Sequence, residues 1–162
     1  MPNYDDSTER MITDLILGLR VDKAISLLPQ HGGATDGGTY FNIVGGKILM
    51  TLLVGTITTV VQAQANNVVF SHAPTGGGAT AALNAALSIN AWAEGDILTI
   101  NGLLTDAMLP AAKAGSSSAM RYGGVILMPG AITVDCSAAS TGGWKWSLWY
   151  VPLEEGAYVT AA

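Results

Sequence analysis

From Trp144 to Pro152 the side chains alternate with a period of two. Trp144, Trp146, Leu148 and Tyr150 fall on one side, and Lys145, Ser147, Trp149 and Val151 on the other. Only an extended strand sends successive side chains to opposite faces, so this segment reads as a half-buried β-strand whose first set faces a core. Aromatics at alternate positions of a strand need a second layer to cover them, which makes two packed sheets the natural architecture.

The rest of the chain from Thr39 follows the same period, with Gly and Pro punctuating short segments as in an all-β sandwich. Thr39 to Val44 and Lys47 to Val54 flank Gly45-Gly46, which predicts a tight two-residue hairpin. Thr56 to Gln62, rich in Thr, Ile and Val, reads as a third strand beginning after Gly55. Val68 to His72 is a fourth, ended by Pro74 and the Gly76-Gly77-Gly78 loop. Thr80 to Asn90 reads as strand, although Leu83, Leu87 and the alanines would also suit a helix. Asp96 to Asn101 is a short strand, and the small residues of Ala111 to Ser118 suit a surface loop. Arg121 to Met128 and Ala131 to Cys136 bracket Pro129-Gly130, which suits a turn between antiparallel strands. No repeat of solenoid or propeller period is visible.

The N-terminus differs. Asp6 or Ser7 can cap a helix, Glu9 stands three residues after Asp6, and Met11, Ile12, Leu15, Ile16 and Leu19 recur at helical spacing. Gly18 weakens this helix. Val21, Ala24, Ile25 and Leu28 continue it or form a second short helix before Pro29. Pro29 to Gly38 lacks core-forming residues and reads as a linker. The expectation is a helical arm over 1–28, a Gly-rich linker over 29–38 and a β-sandwich over 39–162. The fold class is mainly β, an antiparallel jelly-roll-like sandwich with an N-terminal helical arm.

Charge then narrows the function. Only ten of the 124 residues from Thr39 to Ala162 are charged, whereas Met1 to Gly38 carries nine charges in 38 residues. A typical soluble domain is about 25% charged. A body this poor in charge implies that other protein covers much of its outside, as in an assembly subunit. The apolar face of the arm needs a partner too. The net charge of −5 and the absence of any basic run argue against binding nucleic acid through phosphates. The most apolar window, Ile48 to Val61, is broken by threonines and Gly55 and is shorter than the roughly 20 residues of a membrane helix. Asp5, Asp6 and Glu9 stand where a secretory signal carries positive charge, so export by that route is not expected. Cys136 is the one cysteine, which excludes a disulfide within the chain and reads as a buried small hydrophobe.

Searching for chemistry finds little. His31 and His72 are the only histidines and have no Cys or His cluster around them, so no metal site is expected. Ser71 and His72 are neighbours on a strand and point to opposite faces, which disqualifies them as a dyad. Gly76-Gly77-Gly78 lacks the Lys-Ser/Thr of a phosphate loop. Glu154 and Glu155 are adjacent in a terminal segment, poor geometry for the paired carboxylates of a glycoside hydrolase, and read as solvated turn residues. No catalytic residue, cofactor or metal is expected. Trp144 and Trp146 are expected in the core, while Trp149 is a candidate for an exposed contact or for stacking on a sugar.

Two stretches resemble a known family. Tyr40-Phe41-Asn42-Ile43-Val44-Gly45-Gly46-Lys47-Ile48-Leu49 with Gly55 to Asn66 is one, and Pro129-Gly130-Ala131-Ile132 followed by Gly142-Gly143 and Trp144 to Leu153 is the other. They are similar to small structural proteins encoded among the virion genes of tailed bacteriophages, most of all to capsid decoration, or cement, proteins. The resemblance covers roughly Pro29 to Ala162. It implies a β-rich homotrimer, assembled in the host cytoplasm, that sits on the outer capsid, contacts the major capsid protein and locks the shell against internal pressure. It implies neither an enzyme nor a binder of membrane or nucleic acid. With it, Met11, Ile12, Leu15, Ile16, Leu19, Ile25, Leu28 and Trp149 become candidates for the oligomer or capsid interface. The competing expectation is a tail, neck or head-fibre component that binds a host surface glycan through the Trp-rich strand.

Overall fold

A computed structural model describes residues 18–27, 37–102, 104–111 and 124–162. Residues 1–17 and Leu28 of the expected helical arm, most of the expected linker and most of the loop expected from Ala111 lie outside them. Twelve strands are described. They are β1 (Leu19–Leu27), β2 (Gly37–Val44), β3 (Ile48–Thr59), β4 (Asn67–Pro74), β5 (Ala81–Ala82), β6 (Leu87–Ser88), β7 (Ile97–Thr99), β8 (Leu109–Ala111), β9 (Val125–Leu127), β10 (Gly130–Cys136), β11 (Gly143–Pro152) and β12 (Tyr158–Ala161).

The strands form two six-stranded antiparallel sheets. Sheet 1 runs β1-β11-β3-β7-β8, with β9 also on β3, and sheet 2 runs β12-β2-β10-β4-β5, with β6 also on β4. The pairs nest: β1 lies on β11, β2 on β10, β3 on β7 and β4 on β5. The chain thus doubles back on itself, and the doubled ribbon is dealt alternately to the two sheets.

The inner faces meet through aromatic rings. Trp144 and Trp146 of β11 have no exposed surface, as the alternation of their strand predicts. Trp144 meets Tyr40 of β2 edge-on at 6.1 Å, and Trp146 meets Phe70 of β4 at 4.5 Å. Such edge-to-face pairs contribute about 0.5–1.5 kcal/mol each beyond their buried area. The indole N–H of Trp144 donates to the Tyr40 hydroxyl, and the Tyr150 hydroxyl of sheet 1 accepts from the Val159 amide of β12 in sheet 2. Cys136 is buried, as a small hydrophobe would be.

Several expectations are corrected. Leu19–Leu27 is not helical: it is the edge strand β1, registered on β11 from Leu19 opposite Tyr150 to Leu27 opposite Gly143. Gly18 has φ of 85°, so no α-helix runs through it. Beyond it Val21 packs against the core while Arg20 and Asp22 face out, a period-two pattern that the helical spacing of Val21, Ala24 and Ile25 hides. The β-body therefore begins before Thr39, and β2 already starts at Gly37, inside the stretch expected as linker.

Neither predicted hairpin forms. β2 and β3, on either side of Gly45-Gly46, belong to different sheets, as do β9 and β10 on either side of Pro129-Gly130. Both dipeptides turn the chain, and both carry it from one sheet to the other. The two strands expected around Gly55 are one twelve-residue strand, β3. Gly55 is needed there because a Cβ would stand 2.5 Å from the Trp146 ring. Thr80 to Asn90 holds only the two-residue strands β5 and β6.

Candidate functional site

The side of sheet 1 turned away from sheet 2 carries a row of apolar residues that a partner could cover. Directly opposed residues of antiparallel strands share a face, and Val151 of β11 opposes Leu49 of β3, which opposes Ile126 of β9. Ile48 and Met50 on either side of Leu49 are fully buried, which puts this row on the outer face. Ile126 is 63% exposed. In the next row Trp149 opposes Leu52, and in the one after Ser147 opposes Val54. Three strands thus present an outer surface that is apolar from Val151 to Ile126, with Lys145 as the single charge of β11.

The β1 edge of the same face is polar. Arg20 lies opposite Trp149 and Asp22 opposite Ser147. The Arg20 guanidinium sits 5.0 Å over the centre of the Trp149 ring. Its Nε donates to Asp22 Oδ1 at 2.8 Å, and the Ser147 hydroxyl donates to the same oxygen at 2.5 Å. Partial burial pushes the Asp22 carboxyl up, but the hydrogen bonds from Ser147 and Arg20 and the charges of Arg20 and Lys145 outweigh it and hold the group below its ordinary value. Lys23 turns towards sheet 2, donating to the main-chain oxygen of Ala162 and lying 5.7 Å from the centre of the Tyr40 ring. A depression of about 270 Å³ opens between β1 and β11, lined by Arg20, Asp22, Lys23, Ala24, Lys145, Trp146 and Ser147.

Of the expected interface residues, one meets this surface: Trp149 is half-buried on the outer face. Leu19 is 46% exposed, but it lies opposite the inward-facing Tyr150 and so belongs to the other side of the sheet. Ile25 lies in β1. Met11, Ile12, Leu15, Ile16 and Leu28 lie outside the described residues. Sequence reasoning missed Arg20, Asp22, Leu49 and Ile126. The alternation of β3 marks Leu49 as an outward residue, but no sequence signal aligns it with Ile126, which is set by a pairing between strands 77 residues apart at that point.

Other groups named from the sequence fall elsewhere. Ser71 and His72 do point to opposite sides: the Ser71 hydroxyl lies 3.5 Å from Asp135, while His72 Nε2 is 3.0 Å from the Met128 carbonyl. Glu154 accepts from the Lys47 backbone amide and pairs with the Lys47 ammonium at 2.7 Å, which holds its carboxyl below the ordinary value. Among the described residues no helix is long and apolar enough to cross a membrane.

No protein-family model, curated protein or solved structure matches this chain.

Proposed function

We propose that this protein is a non-enzymatic virion structural protein, a capsid decoration or cement protein that binds the outer surface of a phage capsid as a homotrimer and stabilises the shell. The observation that carries this reading is the Val151–Leu49–Ile126 row, an apolar outer sheet face of a kind that normally marks a contact surface. The nested strand pairing supports a jelly-roll sandwich, an architecture found among viral capsid proteins. The resemblance of the Tyr40 and Trp144 segments to decoration proteins supplies the partner, the major capsid protein, and the place, the outer capsid surface. In this reading the apolar residues Met11, Ile12, Leu15 and Ile16 add to the same contacts. Light scattering and co-sedimentation with tailed-phage capsids test it. A trimer that pellets with capsids is the expected result, and a stable monomer without affinity for them overturns it.

A second reading has its own observation. Trp149 is half-exposed on the outer face, and Arg20, which lies over its ring, lines the neighbouring polar depression; in a tail, neck or head-fibre component this surface would bind a glycan once Arg20 moves off the ring. Trp149→Ala should then abolish glycan or cell binding while the fold survives.

A further inference from the structure

The depression between β1 and β11 brings cations together on an acidic protein. The chain carries a net charge of −5. Among the described residues its cations are Arg20, Lys23, Lys47 and Lys145, and all but Lys47 line this one depression. Lys47 is held by Glu154 on another part of the molecule. Lys23 is engaged by Ala162, which leaves Arg20 and Lys145 to meet a ligand.

These two differ in a useful way. Arg20 is fixed by three neighbours, Asp22, Ser147 and the Trp149 ring, so its guanidinium is pre-oriented. Such ordering lowers the entropy that a ligand must otherwise supply. Lys145 is exposed on β11 and makes no ion pair among the described residues. The Asp22 carboxylate adjoins Arg20 and Ser147, and those contacts hold it below its ordinary value.

We propose that this depression binds an acidic saccharide: Arg20 and Lys145 take the carboxylate of a uronic-acid-type sugar, Asp22 and Ser147 take its hydroxyls, and the adjoining Trp149 ring borders the site. The inference rests on the glycan reading of Trp149 and gives that glycan its charge. The donor set decides the ligand class. A polyacidic peptide would bring further carboxylates against Asp22, whereas a sugar offers one carboxylate with hydroxyl donors that Asp22 can accept. The volume, about 270 Å³, is just under the roughly 300–1,000 Å³ typical of drug-sized pockets, which suits a terminal sugar residue.

Chemical-shift titration of the full chain with D-glucuronate, D-glucose, acetate and hexa-aspartate tests this. Glucuronate should perturb β1 and β11 and bind about tenfold more tightly than glucose, the worth of one charge-assisted hydrogen bond. Lys145→Ala should remove that preference, and Lys47→Ala should leave it intact. Equal binding of glucuronate and glucose through Trp149 overturns the acidic specificity while the glycan reading stands. No perturbation by any sugar overturns both. Acetate or hexa-aspartate binding as tightly as glucuronate overturns the saccharide and leaves a bare anion or peptide site.

Discussion

Trp144 and Tyr40 are 104 residues apart in the chain, and the indole nitrogen of one donates to the hydroxyl of the other at 2.5 Å across the interior of the two sheets. Both residues are buried, so neither group can turn to water instead. Tyr40→Phe keeps the ring and its edge contacts with Phe70 and Trp144 but orphans the indole N–H. A stability loss of about 1–3 kcal/mol is expected, read as a lower urea midpoint at unchanged slope.

Gly55→Ala tests the seat of the second indole. A methyl group there would stand 2.5 Å from the Trp146 ring, and that ring is fully buried against Phe70. The expected cost is about 1–3 kcal/mol of overpacking. At Gly76 an added Cβ meets nothing within 4 Å, so Gly76→Ala should leave the unfolding midpoint nearly unchanged.

His72 predicts a pH dependence. Burial lowers its pKa from the ordinary 6.5, opposed in part by the hydrogen bond to the Met128 carbonyl. The unfolded chain then binds a proton at a higher pH than the folded one, so this contribution to stability is complete above about 6.5 and is lost as pH falls through 6.5 towards the lower folded value. A proton NMR titration should place the His72 midpoint below 6.5, and denaturation curves should show stability declining across that window.

Ile126→Asp and Leu49→Asp place a charge in the outer apolar row without touching the inner core. Unchanged far-UV circular dichroism with loss of self-association or of capsid binding is expected. Unaltered assembly in both variants would remove this face from the interface.

Removal of residues 1–17 is the sharper test of the N-terminal segment, because a cut at Leu28 would also delete β1 and strip an edge strand from sheet 1. The shortened protein should keep its fold and assemble more weakly, as gel filtration with light scattering would report.

How far the sequence could be read follows from the range of the interactions that decide each element. β11 was legible because its burial alternates without a break from Trp144 to Tyr150. β1 was not, because Val21, Ala24 and Ile25 fit a helical stripe and only pairing with β11, distant in the chain, selects the strand. Gly45-Gly46 and Pro129-Gly130 announced turns correctly, but a turn dipeptide reports a local reversal and not the sheet that receives the next strand. For the candidate site, Trp149 was visible as an outward aromatic. Its companions Arg20 and Asp22 were hidden by the helical reading of their segment, and Ile126 by a pairing that spans most of the body.

The nested pairing also orders events during synthesis. β3, the longest strand and rich in Leu, Ile and Val, must wait for β11 before its central neighbour exists, and Asp22 meets Ser147 only after 125 further residues have been made. Contacts of such long sequence separation close slowly and leave sheet edges open meanwhile. A nascent chain of this topology therefore carries an apolar strand with one open edge from Thr59 until Gly143 is made, and a truncated product lacking β11 would be prone to aggregate rather than fold in part.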